Sequence, residues 1–135
     1  MMHRLLEIDP DLQKRRLWLS VGVGLLLFIV FMSLTSTPVV PMPGNIDKLY
    51  HASAYAVLMG WWLQLFRNPL TRVLLALCFI AIGVGIEFLQ SFHPLRYFDV
   101  GDMLANTTGV VISFGLGWTA FERLLYRFER RVWPG

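Results

Sequence analysis

Four stretches of the chain are almost free of charge, and each is close to the roughly 20 apolar residues that a helix needs to cross a bilayer. They are 17–34, 49–66, 73–92 and 103–121. Between the first and second lie Pro38, Pro41, Pro43 and Gly44, which deny helix to the connection. The turn 67–72 and the loop 93–99 separate the later stretches. The pattern predicts an all-α fold, a four-helix transmembrane bundle over 17–121. It is flanked by an N-terminal tail (1–16) and a basic C-terminal tail (122–135). The first stretch is longer than a usual signal-peptide core and lacks a small-x-small cleavage site, so it reads as a retained anchor. Leu5, Leu6, Ile8 and Leu12 make the first tail a short interfacial helix or a partly ordered segment. The second tail reads as an amphipathic extension of the fourth helix, with Arg123, Arg127 and Arg131 in a basic stripe toward lipid headgroups.

Composition agrees with the pattern. Of 135 residues 56% are hydrophobic and 16% charged, with a mean hydropathy of +0.55. That excludes a disordered chain, a disulfide scaffold and an ordinary water-soluble enzyme. The single cysteine, Cys78, forms no intramolecular disulfide and reads as a small hydrophobe. The formal charge of +3 invites a nucleic-acid reading, but the basic residues flank the spans. Ten of them fall in the two tails and the 67–72 turn, against only Lys48 and Arg96 on the other side. Positive charge stays inside, so both termini are expected in the cytoplasm, with membrane lipids and not nucleic acid as partners. Trp18, Trp61, Trp62, Trp118 and Trp133 fit an inner interfacial belt.

Ionisable groups within spans are expensive and mark candidate sites. Asp47, Lys48, His51 and Tyr55 share one face at the outer end of the second helix. Glu87 and Gln90 share a face of the third. Asp99, Asp102 and Asn106 line the fourth. At about 1.5 Å per residue, Glu87 lies roughly 21 Å from the inner edge, and His51 and Asn106 lie about 6 Å below the outer boundary. Three helices therefore place polar groups at one level, with Arg96 and Asp99 in the loop above. Gly109, Ser113 and Gly117 continue the polar face of the fourth helix at spacing four. The second helix has Ala52, Ala56 and Gly60 at the same spacing, though Ala52 lies about 100° from His51, and the third has Ala81 and Gly85. Small residues at this spacing permit close helix approach in lipid.

The same residues resemble the VanZ-like family, whose pattern is roughly DK-x-x-H, E-x-x-Q, then R-x-x-D-x-x-D-x-x-x-N-x-x-G. Here it is met by Asp47-Lys48 and His51, Glu87 and Gln90, then Arg96, Asp99, Asp102, Asn106 and Gly109. The match covers about 47–117, with little family signal in the first span or the tails. The resemblance implies a small multi-pass protein of the bacterial cytoplasmic (inner) membrane, of the kind associated with low-level resistance to the glycopeptide teicoplanin. It implies no agreed reaction, substrate or cofactor.

Several chemistries fit the residue types. His51, Glu87 and Asp102 form a candidate catalytic set, His51 as general acid or base oriented by a carboxylate. Lys48 and Arg96 suit an anion, Arg96 bidentately. Asp47, Tyr55, Gln90, Asp99 and Asn106 complete a candidate ligand site. The expected partner is a lipid-linked cell-wall precursor or glycolipid. No cofactor is expected. A divalent metal on His51, Glu87 and Asp102 is the lesser reading, because compact ligand spacing is absent. Nucleophilic catalysis by Ser53 or Ser91 is weaker still. The opposing reading is a non-catalytic scaffold or binding protein, in which the polar cluster only holds the helices together. Transport is disfavoured because the inner halves of the spans lack charge.

Overall fold

The computed structural model describes residues 6–35, 44–94 and 98–134. It is all-helical. Helices α1 (Arg15–Leu34), α2 (Gly44–Leu65), α3 (Pro69–Gln90) and α4 (Val100–Leu116) are followed by a 3-10 turn (Ala120–Arg123) and α5 (Leu124–Val132). Among the described residues there is no strand. By length and composition α1 and α3 suffice to cross a membrane, with mean hydropathies of 2.5 and 2.3, while α4 is a shorter apolar helix.

The helix ends follow local chemistry. Asn68 accepts hydrogen bonds from the backbone N–H groups of Leu70 and Thr71, and Pro69 occupies the first turn. This cap-plus-proline arrangement starts α3 four residues before the apolar run begins. Asp47 and Lys48 likewise lie inside α2, which starts at Gly44. At the other end, α4 stops at Leu116 and does not run on into the tail as expected. Gly115 and Gly117 weaken the helix, and Thr119 Oγ1 accepts from Phe121 N–H to start a new turn.

The tightest packing is between α2 and α4. A Cβ at Gly109 would stand 2.1 Å from the Ala52 carbonyl oxygen and 2.9 Å from the Ala56 nitrogen. Ser113 Oγ donates to the Ala56 carbonyl at 2.6 Å, and a Cβ at Gly117 would meet Leu63 Cδ1 at 2.7 Å. The expected small-residue stripes of α2 and α4 thus face one another. On α3 the expectation is corrected. Gly85 faces open space, and Gly83 instead packs against Asn106 and Tyr55. Ile29, Leu58, Met59, Phe79 and Val110 complete the core between α1, α2, α3 and α4.

Both tails are built into the fold. Asp9 N–H donates to the Leu65 carbonyl at 2.7 Å, and Leu12 is buried against Trp18, Leu65, Phe66 and Leu125. Glu129 of α5 is 0% exposed. Its carboxylate accepts from the backbone N–H groups of Gln13 (2.7 Å) and Lys14 (2.6 Å) and from the Trp18 indole N–H (2.7 Å). Burial alone would raise the Glu129 carboxyl, but those three donors hold it below the ordinary glutamate range. Asp11 joins Arg67 (3.1 Å) to Arg123 (2.7 Å), so Arg123 leaves the predicted basic stripe. Two of the five indoles are also tied into the fold: Trp18 Nε1 donates to Glu129 at 2.7 Å, and Trp61 Nε1 donates to the Trp18 carbonyl at 3.1 Å.

Arg72 belongs to the interior and not to an exposed turn. It is 1% exposed. Its guanidinium donates to the carbonyls of Phe66 (2.8 Å), Gly117 (2.9 Å) and Leu63 (3.3 Å), and contacts Glu122 at 3.3 Å. One side chain thereby satisfies carbonyls at the C-terminal ends of both α2 and α4, groups that a helix cannot pair internally.

Candidate functional site

The polar residues meet at the opposite end, where the start of α2 lies beside the start of α4. Asp99 caps α4: its side chain accepts from Gly101 N–H at 2.7 Å. Its own backbone N–H donates to Glu87 Oε1 at 2.6 Å. Glu87, 1% exposed, thus reaches from α3 to fix the entry of α4. Lys48 Nζ lies between Asp99 and Asp102, bonded to both carboxylates. That bond, followed by the Gly101 amide, holds the Asp99 carboxyl below the usual aspartate range. Gly101 leaves the room for this pairing, since a Cβ there would stand 2.7 Å from Lys48 Cε.

His51 sits one turn below Asp47. Its Nδ1 lies 3.1 Å from Asn106 Oδ1, and its Nε2 lies 3.5 Å from Asp102 Oδ2 and 3.9 Å from Asp47 Oδ1. With the Asn106 carbonyl oxygen as acceptor, Nδ1 carries the hydrogen, and Nε2 is left to take up or deliver a proton. Asn106 is buried, and the His51 side chain retains 21% exposure, enough to be met from the mouth of the helix pair. Tyr55 lies one turn deeper, 2% exposed, and among the described residues its hydroxyl has no hydrogen-bond partner. Its ring and Asn106 both rest where Gly83 lacks a side chain.

Asp47, Lys48, His51, Glu87, Asp99, Asp102 and Asn106 therefore gather at one end, with Tyr55 beneath them. Gln90 turns away, its Nε2 donating to the Ser33 carbonyl of α1 at 2.7 Å. Arg96 lies outside the described residues. The three ligand atoms offered by Asp47, His51 and Asp102 lie within 4.8 Å of one another, close enough for one cation to bridge. This group differs from the set read from the sequence in having Asp47 where that set had Glu87, whose Oε1 accepts from the Asp99 amide. Gly83 and Gly101 are positioning residues that the sequence reading missed. The one signal for Gly83 was its spacing of four from Glu87, which puts both on one face of α3.

A family model described as VanZ/LLP1 matches residues 14–121. The match takes in α1, where the residue pattern carries little family signal. A Schizosaccharomyces pombe protein described as uncharacterized is 31% identical over 112 residues, covering 81% of this chain and 68% of that protein. No solved structure matches.

Proposed function

The chain belongs to the VanZ/LLP1 family, and from that premise we propose a multi-pass membrane protein whose mouth site binds or modifies a lipid- or glycan-linked anionic group. In this reading α1 to α4 all cross the bilayer, both termini are cytoplasmic, and the site opens to the outer leaflet. His51 is the acid–base group, and Asn106 sets which of its nitrogens is free. Asp102 and Asp47 flank that nitrogen. Glu87 holds the start of α4 in register. An incoming anion competes with Asp99 and Asp102 for Lys48, or meets Arg96, while the carboxylates suit donor hydroxyls of a glycan. The relative in a fission yeast favours a substrate class wider than a bacterial wall precursor, and glycopeptide resistance is one outcome of such chemistry.

The observation that carries this reading is the part-exposed His51 side chain at the mouth, with its Nδ1 held by a buried asparagine and its Nε2 beside Asp102. His51→Ala and Asn106→Leu are expected to abolish the chain's effect on envelope lipids, measured by mass spectrometry of lipid extracts from expressing cells. Folded yield should stay near wild type for His51→Ala. A loss of effect only in proportion to lost folded protein would defeat the proposal.

The scaffold reading has its own support: Lys48 is fully engaged by Asp99 and Asp102, and Glu87 by a backbone amide. It predicts that Lys48→Met lowers stability before it lowers any activity, because two carboxylates lose their partner.

A further inference from the structure

At the far end from His51, an apolar groove of about 620 Å³ opens between α2, α4 and α5. That volume lies within the range of small-molecule pockets, about 300–1,000 Å³. Val57, Gly60, Leu116, Phe121, Leu124 and Phe128 form much of its wall. Four side chains with polar atoms also line it, and each is satisfied within the protein. Ser113 Oγ donates to the Ala56 carbonyl, and Trp18 Nε1 to Glu129. Trp61 Nε1 donates to the Trp18 carbonyl. Gln64 donates to the Phe121 carbonyl at 2.7 Å and accepts from Leu125 N–H at 3.1 Å. The groove offers hydrocarbon contact and no free polar group, so it selects an apolar chain and disfavours a polar ligand.

The rim supplies the second half of the recognition. On α5, at 100° per residue, Arg131 lies about 20° and Arg127 about 60° from Leu124, beside the groove-lining strip of Leu124 and Phe128. Both arginines are exposed. The neighbouring cations are taken: Arg123 by Asp11, and Arg130 by the Tyr126 hydroxyl and ring. Among the described residues no acidic group pairs with Arg127 or Arg131. A hydrocarbon slot edged by two free guanidinium groups matches an acyl chain that carries an anionic head.

We infer that this groove holds one acyl chain of an anionic phospholipid, with its phosphate on Arg127 and Arg131. This site is separate from the His51 mouth, so its test reads lipid retention and leaves the mouth chemistry untouched. The full chain, purified in mild detergent, is mixed with phosphatidylglycerol or with phosphatidylcholine of identical acyl chains. Bound lipid is then counted by native mass spectrometry. The wild type should retain one phosphatidylglycerol per chain, roughly fivefold to thirtyfold tighter than phosphatidylcholine, the worth of one to two arginines near an anionic group. Arg127→Ala with Arg131→Ala should bring the two lipids close to parity. Gly60→Leu should lose both, since its side chain enters the groove while its Cβ meets only Ser113 Oγ, at an ordinary 3.6 Å. Val57→Trp, at an exposed position, fills the groove from its edge and replaces Gly60→Leu if that variant yields no folded protein. Equal retention of the two lipids by the wild type overturns the proposal. So does retention by the filled variants that matches the wild type. A lipid-free dimer that falls apart on filling the groove shows a second chain as the occupant and overturns it too.

Discussion

Asn106 Oδ1 stands 3.1 Å from His51 Nδ1, joining α4 to α2 across 55 positions of sequence. Two consequences meet in this contact. It ties the helices together at the mouth, and it leaves Nε2 as the atom that faces Asp102 and Asp47. The mouth is a cross-link as well as a candidate reactive centre, so stability and activity have to be measured together at every position in it.

The α2–α4 contact should be the least tolerant of added volume. Gly109→Ala places a methyl where the Ala52 carbonyl already sits, and Gly117→Leu forces Leu63 aside. Each is expected to destabilise by about 1–3 kcal/mol, the usual range for overpacking, with Gly109→Ala at the upper end because backbone cannot step away. Gly85→Ala and Gly24→Ala, which face open space, should melt at or slightly above the wild-type temperature in detergent. Equal melting temperatures for Gly109→Ala and Gly85→Ala would contradict the close crossing.

Removing Arg72 should be among the most damaging single changes. Arg72→Ala strands carbonyls of Leu63, Phe66 and Gly117 in the interior. Orphaned buried groups of this kind cost about 1–3 kcal/mol each. Arg72→Lys should recover only part of the loss, because an ammonium cannot span the same carbonyls as a planar guanidinium. Folded yield and thermal melting of the two variants check this, and a wild-type melt for Arg72→Ala would refute it.

Acid should loosen the tails before it disturbs the helices. Glu129 titrates below the ordinary glutamate value of about 4.3 because its carboxylate holds three N–H donors. A carboxyl lowered in the folded state adds stability above its unfolded value, and that stability is lost as pH falls through the folded one. Melting temperature should therefore drop below about pH 4.3, and protease sensitivity of the first 14 residues should rise with it. Glu129→Gln should be less stable than wild type at pH 7 and flatter across the same acid window. An unchanged acid profile in that variant would assign the transition to another group.

Orientation is testable with single cysteines in a Cys78→Ala background, since Cys78 is itself exposed on the helix surface. A cysteine at Asn45 should react with an impermeant maleimide from outside intact cells, and cysteines at Asn68 or Arg130 should not. Labelling at Asn68 from outside would reverse the proposed topology.

The linear sequence by itself determined roughly where the four long helices fall, which residues of α2 and α4 form small-residue stripes, and that His51, Glu87 and Asn106 belong at one level. Those features depend on a fixed rise and rotation per residue, so periodicity and depth are enough to read them. Tertiary structure alone decided which neighbour each face meets. Gly83 and Gly85 are two apart on α3, and only the azimuth of α4 makes the first a contact and the second a free surface. Gln90 and Glu87 share a face by spacing, yet α1 captures Gln90 through the Ser33 carbonyl. Arg72 and Glu129 look like solvated charges of a turn and a tail. They are buried because partners distant in sequence, the ends of α2 and α4 for one and the residues leading into α1 for the other, bring unsatisfied backbone groups that a single ionised side chain can pair. Compensation of that kind is a property of the assembled chain, since no local pattern records which distant carbonyl or amide is left without a partner.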